Sequence, residues 1–160
     1  MSGVTVKRPR YSIDEIERRW LVDQDALGPL HESAFVEITD RYLEGTRLRL
    51  RRMDDGKGGA IFKLCRKYGK TSPLSEPMTN LYLTEAEYLL LSALDGREVR
   101  KRRYAMHGGS LDVYAGDPAV VIFECEFATE AAAIAFVPPD FVGEELTGDG
   151  SRDGAAIARR

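Results

Sequence analysis

The feature that most constrains this chain is a period of two, in which charged and apolar side chains alternate through one segment after another. Glu15, Glu17 and Arg19 recur at that spacing, as do Arg47, Arg49 and Arg51, then Lys101 and Arg103, then Glu124 and Glu126. Successive side chains of a β-strand point to opposite faces, so each set shares one face of its strand. The other parity carries Leu48 and Leu50, or Phe123, Cys125 and Phe127, which need burial. A half-buried strand normally wets its charged face. Here the charged faces carry both signs in bulk, basic on some strands and acidic on others. A cavity holding metal ions and a polyanion together would use both.

Composition narrows the setting. The chain has 160 residues, 43% hydrophobic and 31% charged, enough for a core without covalent staples. It reads as a flexible lead-in over residues 1–10, then one domain over 11–160. A net charge of −3 argues against a general nucleic-acid-coating role, since such domains are usually basic. Against that background the runs RLRLRR at 47–52 and RKRR at 100–103 point to a confined anion site. Cys65 and Cys125 stand far apart with no CxxC spacing and no histidine cluster, so neither zinc nor a disulfide framework is indicated. The apolar runs fall short of a membrane span, and the first residues contain no apolar signal core. The expectation is a cytoplasmic protein with no membrane and no nucleic-acid partner; a homodimer is left open.

Strands are predicted over residues 13–22, 34–43, 46–53, 60–66, 78–83, 98–104, 110–114 and 120–127, with turns rich in Gly and Asp between them. Thr84-Glu85-Ala86-Glu87 is a capping-box sequence opening a helix through Leu94, closed by Gly96. Thr129 caps a second helix over 130–136, which Pro138-Pro139 stops. A weak strand near 142–146 and an amphipathic stretch over 152–158 follow. The fold class is α+β with an antiparallel sheet, and eight strands suffice to close a barrel around side chains or one small ligand. If the charged parity faces inward, the apolar parity must be covered from outside, and the two helices supply part of that cover.

Three arginines at spacing two repel one another, so an anion is expected over them. Arginine offers a planar fork matched to phosphate oxygens, and Lys63 and Lys101 offer point charges for the same task. Glu124 and Glu126 repeat the Glu-x-Glu spacing of Glu15 and Glu17, and Asp112 has the same polar-against-apolar placement. Carboxylates beside phosphate-binding cations would repel the substrate unless a divalent cation lay between. Oxygen ligands without His or Cys favour Mg²⁺ or Mn²⁺. The sketch is a phosphate chain held by Arg and Lys, metal-bridged oxygens, and water as the attacker. Plainer readings stand beside it: a solvated or RNA-contacting face for the arginines, a polar outer face for Glu124 and Glu126, and a simple Arg pair for Asp112. Cys65 shares the parity of Lys63, Cys125 that of the core. His31 and His107 fall in turns, and Trp20, Tyr42, Tyr88 and Phe136 read as packing residues.

Glu15-Ile16-Glu17-Arg18-Arg19 resembles the ExExK signature opening the CYTH superfamily, the triphosphate tunnel metalloenzymes. Further motifs follow in the family's order. Asp40-Arg41-Tyr42-Leu43 with Arg47-Leu48-Arg49 is similar to its Tyr-Leu and Arg-x-Arg strands, and Phe62-Lys63 to its Thr-Ile-Lys strand. Lys101-Arg102-Arg103-Tyr104 is similar to its Lys-x-Arg-Tyr strand, Leu111-Asp112-Val113-Tyr114 to Ile-Asp-Val-Phe, and Glu124-Cys125-Glu126-Phe127 to Glu-x-Glu-Phe. Glu144-Glu145-Leu146-Thr147-Gly148-Asp149 is similar to its closing Glu-x-Val-Thr-Gly-Asp segment. The resemblance implies an eight-stranded antiparallel tunnel with a charged interior and flanking helices. Family members hydrolyse inorganic triphosphate, thiamine triphosphate or RNA 5′-triphosphate ends, or cyclise ATP. By position, Glu15, Glu17, Glu124 and Glu126, with Asp112, would serve the metal. Arg47, Arg49, Arg51, Lys63, Lys101 and Arg103 would bind phosphate.

Two departures from the family pattern stand out. Arg19 takes the place of the signature lysine, and arginine effectively cannot give up its proton. Any base role then passes elsewhere, with Lys101 the first candidate, so Arg19 and Lys101 are the expected catalytic cations. The Arg-x-Glu-x-Glu strand of many members reads here Glu76-Pro77-Met78-Thr79-Asn80-Leu81-Tyr82-Leu83, with only Glu76 as a partial substitute. The leading expectation is metal-dependent hydrolysis of inorganic triphosphate, since no nucleobase pocket is recognisable. The alternatives are a class IV-type adenylate cyclase, a non-catalytic polyphosphate- or nucleotide-binding module, and a basic-strand RNA binder.

Overall fold

The computed structural model describes residues 8–30, 33–116 and 119–158. Part of the predicted lead-in, residues 1–7, and His31 lie outside the described residues. The chain order is β1 (Ile13–Val22), α1 (Gln24–Leu27), β2 (Val36–Leu43), β3 (Leu48–Asp54), β4 (Ala60–Lys67), β5 (Ser75–Leu83), α2 (Glu85–Ser92), β6 (Gly96–Met106), β7 (Gly109–Tyr114), β8 (Val121–Phe127), α3 (Glu130–Ala135), β9 (Val142–Glu145) and α4 (Gly154–Ala158). Eight strands pair antiparallel in the order β5-β4-β3-β2-β6-β7-β8-β1, and β1 returns to β5 to close a barrel. The closing pair runs from Ile13 opposite Met78 to Ile16 opposite Ser75.

Closure is staggered. Only the first part of β1 meets β5, while Ile16 to Leu21 pair with β8 on the other edge. The edge that β5 leaves uncovered on β1 is taken by β9, with Trp20 opposite Glu145 and Val22 opposite Val142. β5 begins three residues earlier than its sequence suggests, because Pro77 argues against a strand. The proline is tolerated there because its carbonyl is what bonds across, accepting from the N–H of Tyr68, the residue just past β4, at 2.9 Å.

The expectation that the apolar parity lies outside is met. Trp20, Tyr104, Leu111, Phe123, Cys125 and Phe141 form the main core cluster, on the parity opposite to Arg19, Arg103, Asp112 and Glu124. Phe136, at the end of α3, stacks on Trp20 at 5.8 Å, so the α3 segment helps roof this core. Arg18 pins that roof, donating to the carbonyls of Ala133 and Phe136 and to both carboxylate oxygens of Glu145. On the other flank α2, opened by the Thr84–Glu87 capping box, lays Tyr88 against Phe62 at 4.8 Å. A smaller cluster of Val99, Tyr114, Ile122 and Leu146, with Leu21 and Ile157, marks where the C-terminal segment folds over one end of the barrel.

Candidate active site

The inward parity of the strands encloses a cavity of about 440 Å³. Glu15, Glu17 and Arg19 line it from β1, Glu124 and Glu126 from β8, Arg49 and Arg51 from β3, and Lys101 and Arg103 from β6. Each set is brought to one wall by its spacing of two. Apart from Arg19 on β1, which faces Glu124, the two signs are separated, giving an acidic wall of β1 and β8 and a basic wall centred on β3 and β6.

On the basic wall two buried aspartates hold the cations. Asp40, 2% exposed, accepts from Nε and Nη2 of Arg51 at 2.6 and 2.7 Å. Burial alone would raise the Asp40 carboxyl, but Arg51 and then Arg49 outweigh it and hold it below its ordinary value. Asp112, fully buried, accepts from Nε and Nη2 of Arg103 at 2.7 Å each and from the Lys101 ammonium. Against the effect of burial, Lys101 and Arg103 pull Asp112 down to about 2. Lys101 also donates to the Tyr114 hydroxyl at 3.3 Å. Arg49 is different: its Nε is buried with no hydrogen-bond partner among the described residues, and it stands 3.8 Å from Asp40.

The acidic wall is less well compensated. Glu17 lies directly across from Glu126 in the β1–β8 register, and Arg19 across from Glu124. Burial, then Glu124 and Glu15, push Glu17 up to about 7. Burial, then Glu15 and Glu124, also raise Glu126. Glu15 goes the other way: despite its burial, the bonded Lys67 ammonium with Arg49 and Arg51 beyond lowers it. Arg19 is buried, with Nε 3.7 Å from Glu124 and Nη2 donating to the Arg152 carbonyl at 3.2 Å. Among the described residues no group of three or more His, Cys, Asp or Glu converges into a ready-made metal site. A cation held here would rest on the Glu17–Glu126 pair and take further oxygens from substrate and water.

The structure therefore gathers Glu15, Glu17, Arg19, Arg47, Arg49, Arg51, Lys101, Arg103, Glu124 and Glu126 around one cavity. Two expected site residues are not on its lining. Lys63 has the inward parity but sits opposite Arg51 and Tyr82, with its ammonium 5.0 Å over the exposed Tyr82 ring. The lysine of β4 that lines the cavity is Lys67, four residues on. Asp112 lies behind the wall, its oxygens taken by Lys101 and Arg103, so the pairing that sequence offered as the plain reading is the one observed.

Sequence reasoning also missed Asp40, Lys70 and Arg97. Asp40 stood in the sequence as part of a motif; its signal was an acid two residues before Tyr42 on a strand facing three arginines. Glu76 lines the cavity and accepts from the Gly69 N–H at 3.1 Å.

No family model matches the sequence. An inorganic triphosphatase of Nitrosomonas europaea is 35% identical over 154 residues, spanning 90% of this chain and 96% of that protein. A solved inorganic triphosphatase structure superposes with a TM-score of 0.57 at 29% identity, covering 94% of this chain and 98% of its own. A second solved chain, described as a hypothetical protein, gives a TM-score of 0.57 at 30% identity over 91% of this chain and 98% of its own.

Proposed function

The chain belongs to the CYTH superfamily, the triphosphate tunnel metalloenzymes, and we propose that it hydrolyses inorganic triphosphate inside its barrel. One observation carries the reading. Glu17 and Glu126, cross-strand carboxylates with no ion-pair partner among the described residues, share one cavity with Arg49, whose Nε lacks a hydrogen bond among those residues and stands 3.8 Å from Asp40. Carboxylates without a counter-charge beside a guanidinium that is only loosely held suit a ligand that brings both signs, a polyphosphate with its divalent cation.

The residues fit such a cation. Glu17 and Glu126 are oxygen donors pushed upward by their mutual surroundings, and a hard cation would relieve them. Mg²⁺ or Mn²⁺ bound there would neutralise charge on the phosphate oxygens. Arg49 brings guanidinium charge to the phosphate chain, while Lys101 and Arg103, fixed by Asp112, present charge to the reacting phosphoryl group without reorganising. Arg19 stays protonated and donates. Lys101, committed to Asp112 and Tyr114, also acts as a donor in this reading. The acidic wall then supplies the carboxylate that takes the proton of the attacking water. Water oxygen bonds to the terminal phosphorus, the bridging P–O bond breaks, and orthophosphate and pyrophosphate leave.

The test is a substrate panel of inorganic triphosphate, thiamine triphosphate and ATP with Mg²⁺ or Mn²⁺, with and without chelator. Orthophosphate released from inorganic triphosphate ahead of the others, and abolished by chelation, is the expected result. No turnover with either metal overturns the proposal, and cyclic AMP as the main product from ATP would replace it with cyclase chemistry.

A further inference from the structure

The cations of the cavity fall into two groups. Those inside have carboxylates beside them: Arg51 and, at 3.8 Å, Arg49 beside Asp40, Lys101 beside Asp112, Arg103 beside Asp112 and Glu124, Lys67 beside Glu15, and Arg19 3.7 Å from Glu124. Three more line the same cavity at its mouth and are exposed: Arg47 before β3, Lys70 after β4, and Arg97 at the start of β6. Arg47 and Lys70 have no carboxylate partner among the described residues. Arg97 only approaches Glu44, at 3.9 Å, with the two side chains 53% and 68% exposed, a geometry that contributes little.

We propose that Arg47, Lys70 and Arg97 form an outer anion subsite, which takes the phosphates of a linear polyphosphate longer than triphosphate. The inference rests on the reading that the interior holds a triphosphate unit. Its first support is convergence. A Cβ on Gly69 would stand 3.2 Å from Arg47 Nη1, so the loop bearing Lys70 is packed against the Arg47 guanidinium. Gly69 has φ +102°, a conformation that disfavours other residues, and this lets the loop come so close. Glu76 stands beside this loop through the Gly69 N–H, yet among the described residues it forms no ion pair with Arg47 or Lys70, so both cations keep donors for an anion.

The second support is what the mouth lacks for a nucleoside. Tyr42 and Tyr114 are the aromatic residues on the described lining. Tyr114 is buried against Lys101, and the Tyr42 hydroxyl abuts Gly154, where a Cβ would lie 2.0 Å away. With Tyr114 buried and Tyr42 half-buried, the described lining offers a base no exposed aromatic ring. The facing rim is formed by Thr147, Gly148, Asp149 and Asp153, and Asp153 is engaged in capping α4 through the Ala156 N–H at 2.7 Å. What extends past the interior is therefore more phosphate. Chemistry is unchanged: water attacks the innermost, terminal phosphorus, its bridging P–O bond breaks, and orthophosphate and a chain one phosphate shorter leave.

The experiment compares triphosphate with linear tetraphosphate on the wild type and on the Lys70→Ala/Arg97→Ala double variant. Both positions are exposed, so folding is spared. The wild type should show the lower KM for tetraphosphate. In the double variant that KM should rise about tenfold, the scale of one charge-assisted hydrogen bond. The KM for triphosphate should move less than about twofold. Equal changes for both substrates, or no change for either, overturn the outer subsite. Calorimetry separates this result from the parent reading. If neither substrate is hydrolysed but tetraphosphate binds more tightly and the double variant erases the difference, the hydrolase reading falls and the subsite stands.

Discussion

The two walls of the cavity solve opposite electrostatic problems. On the basic wall, Asp40 and Asp112 sit behind the cations and fix Arg51, Lys101 and Arg103 through direct, mostly bidentate bonds. On the acidic wall, Glu17 faces Glu126 across adjacent strands and has Glu15 and Glu124 as further neighbours. Apart from Arg49, whose Nε lacks a hydrogen bond among the described residues, the first wall is finished before any ligand arrives. The second is completed only by a cation from outside. Rigid donors on one side and an unsatisfied pair on the other make a site whose geometry is set and whose charge is not.

The largest expected effect tests the finished wall. Asp112→Asn leaves Lys101 buried without its counter-charge and Arg103 with Glu124 alone, and should cost about 3–5 kcal/mol of stability. Denaturant unfolding measures it, and a loss below about 1 kcal/mol would show that the aspartate is not what holds these cations. Glu17→Gln tests the unfinished wall. It should lower triphosphate turnover about a hundredfold or more while leaving stability unchanged or raised, because a repelling charge is removed. A variant that loses stability and activity together would erase the contrast between the walls.

Acid provides the smallest and sharpest comparison. Asp112 is lowered from an ordinary 3.8 to about 2, so its contribution is present above its unfolded pKa and is lost as pH falls through the folded one. Stability should drop by about 2 kcal/mol between roughly pH 4 and pH 2 from this group alone. Asp40 is lowered too and adds in the same direction. Thermal unfolding of wild type against Asp112→Asn over that range isolates the term: the variant's curve should be the flatter one. Parallel curves would remove Asp112 from the account.

Much of this was legible in the sequence. The alternation over Glu15–Arg19, Arg47–Arg51 and Glu124–Glu126 marked the inward faces, and the capping residues Thr84 and Thr129 marked where α2 and α3 begin. Lys63 was misplaced for a physical reason. It shares its parity with Lys67, and nothing local distinguishes them. The stagger of the closed barrel sets Lys63 level with Arg51 and Tyr82, and Lys67 beside Glu15. Asp40 was read as a motif neighbour because its meaning depends on Arg51 arriving eleven residues later on the next strand.

By itself, then, the sequence determined which side chains turn inward, because a strand's alternation is a property of its own backbone. Tertiary structure decided the level at which each one stands and which charges meet. Both depend on the register between strands distant in the chain, and on the one closure, β1 against β5, that converts a sheet into an enclosure.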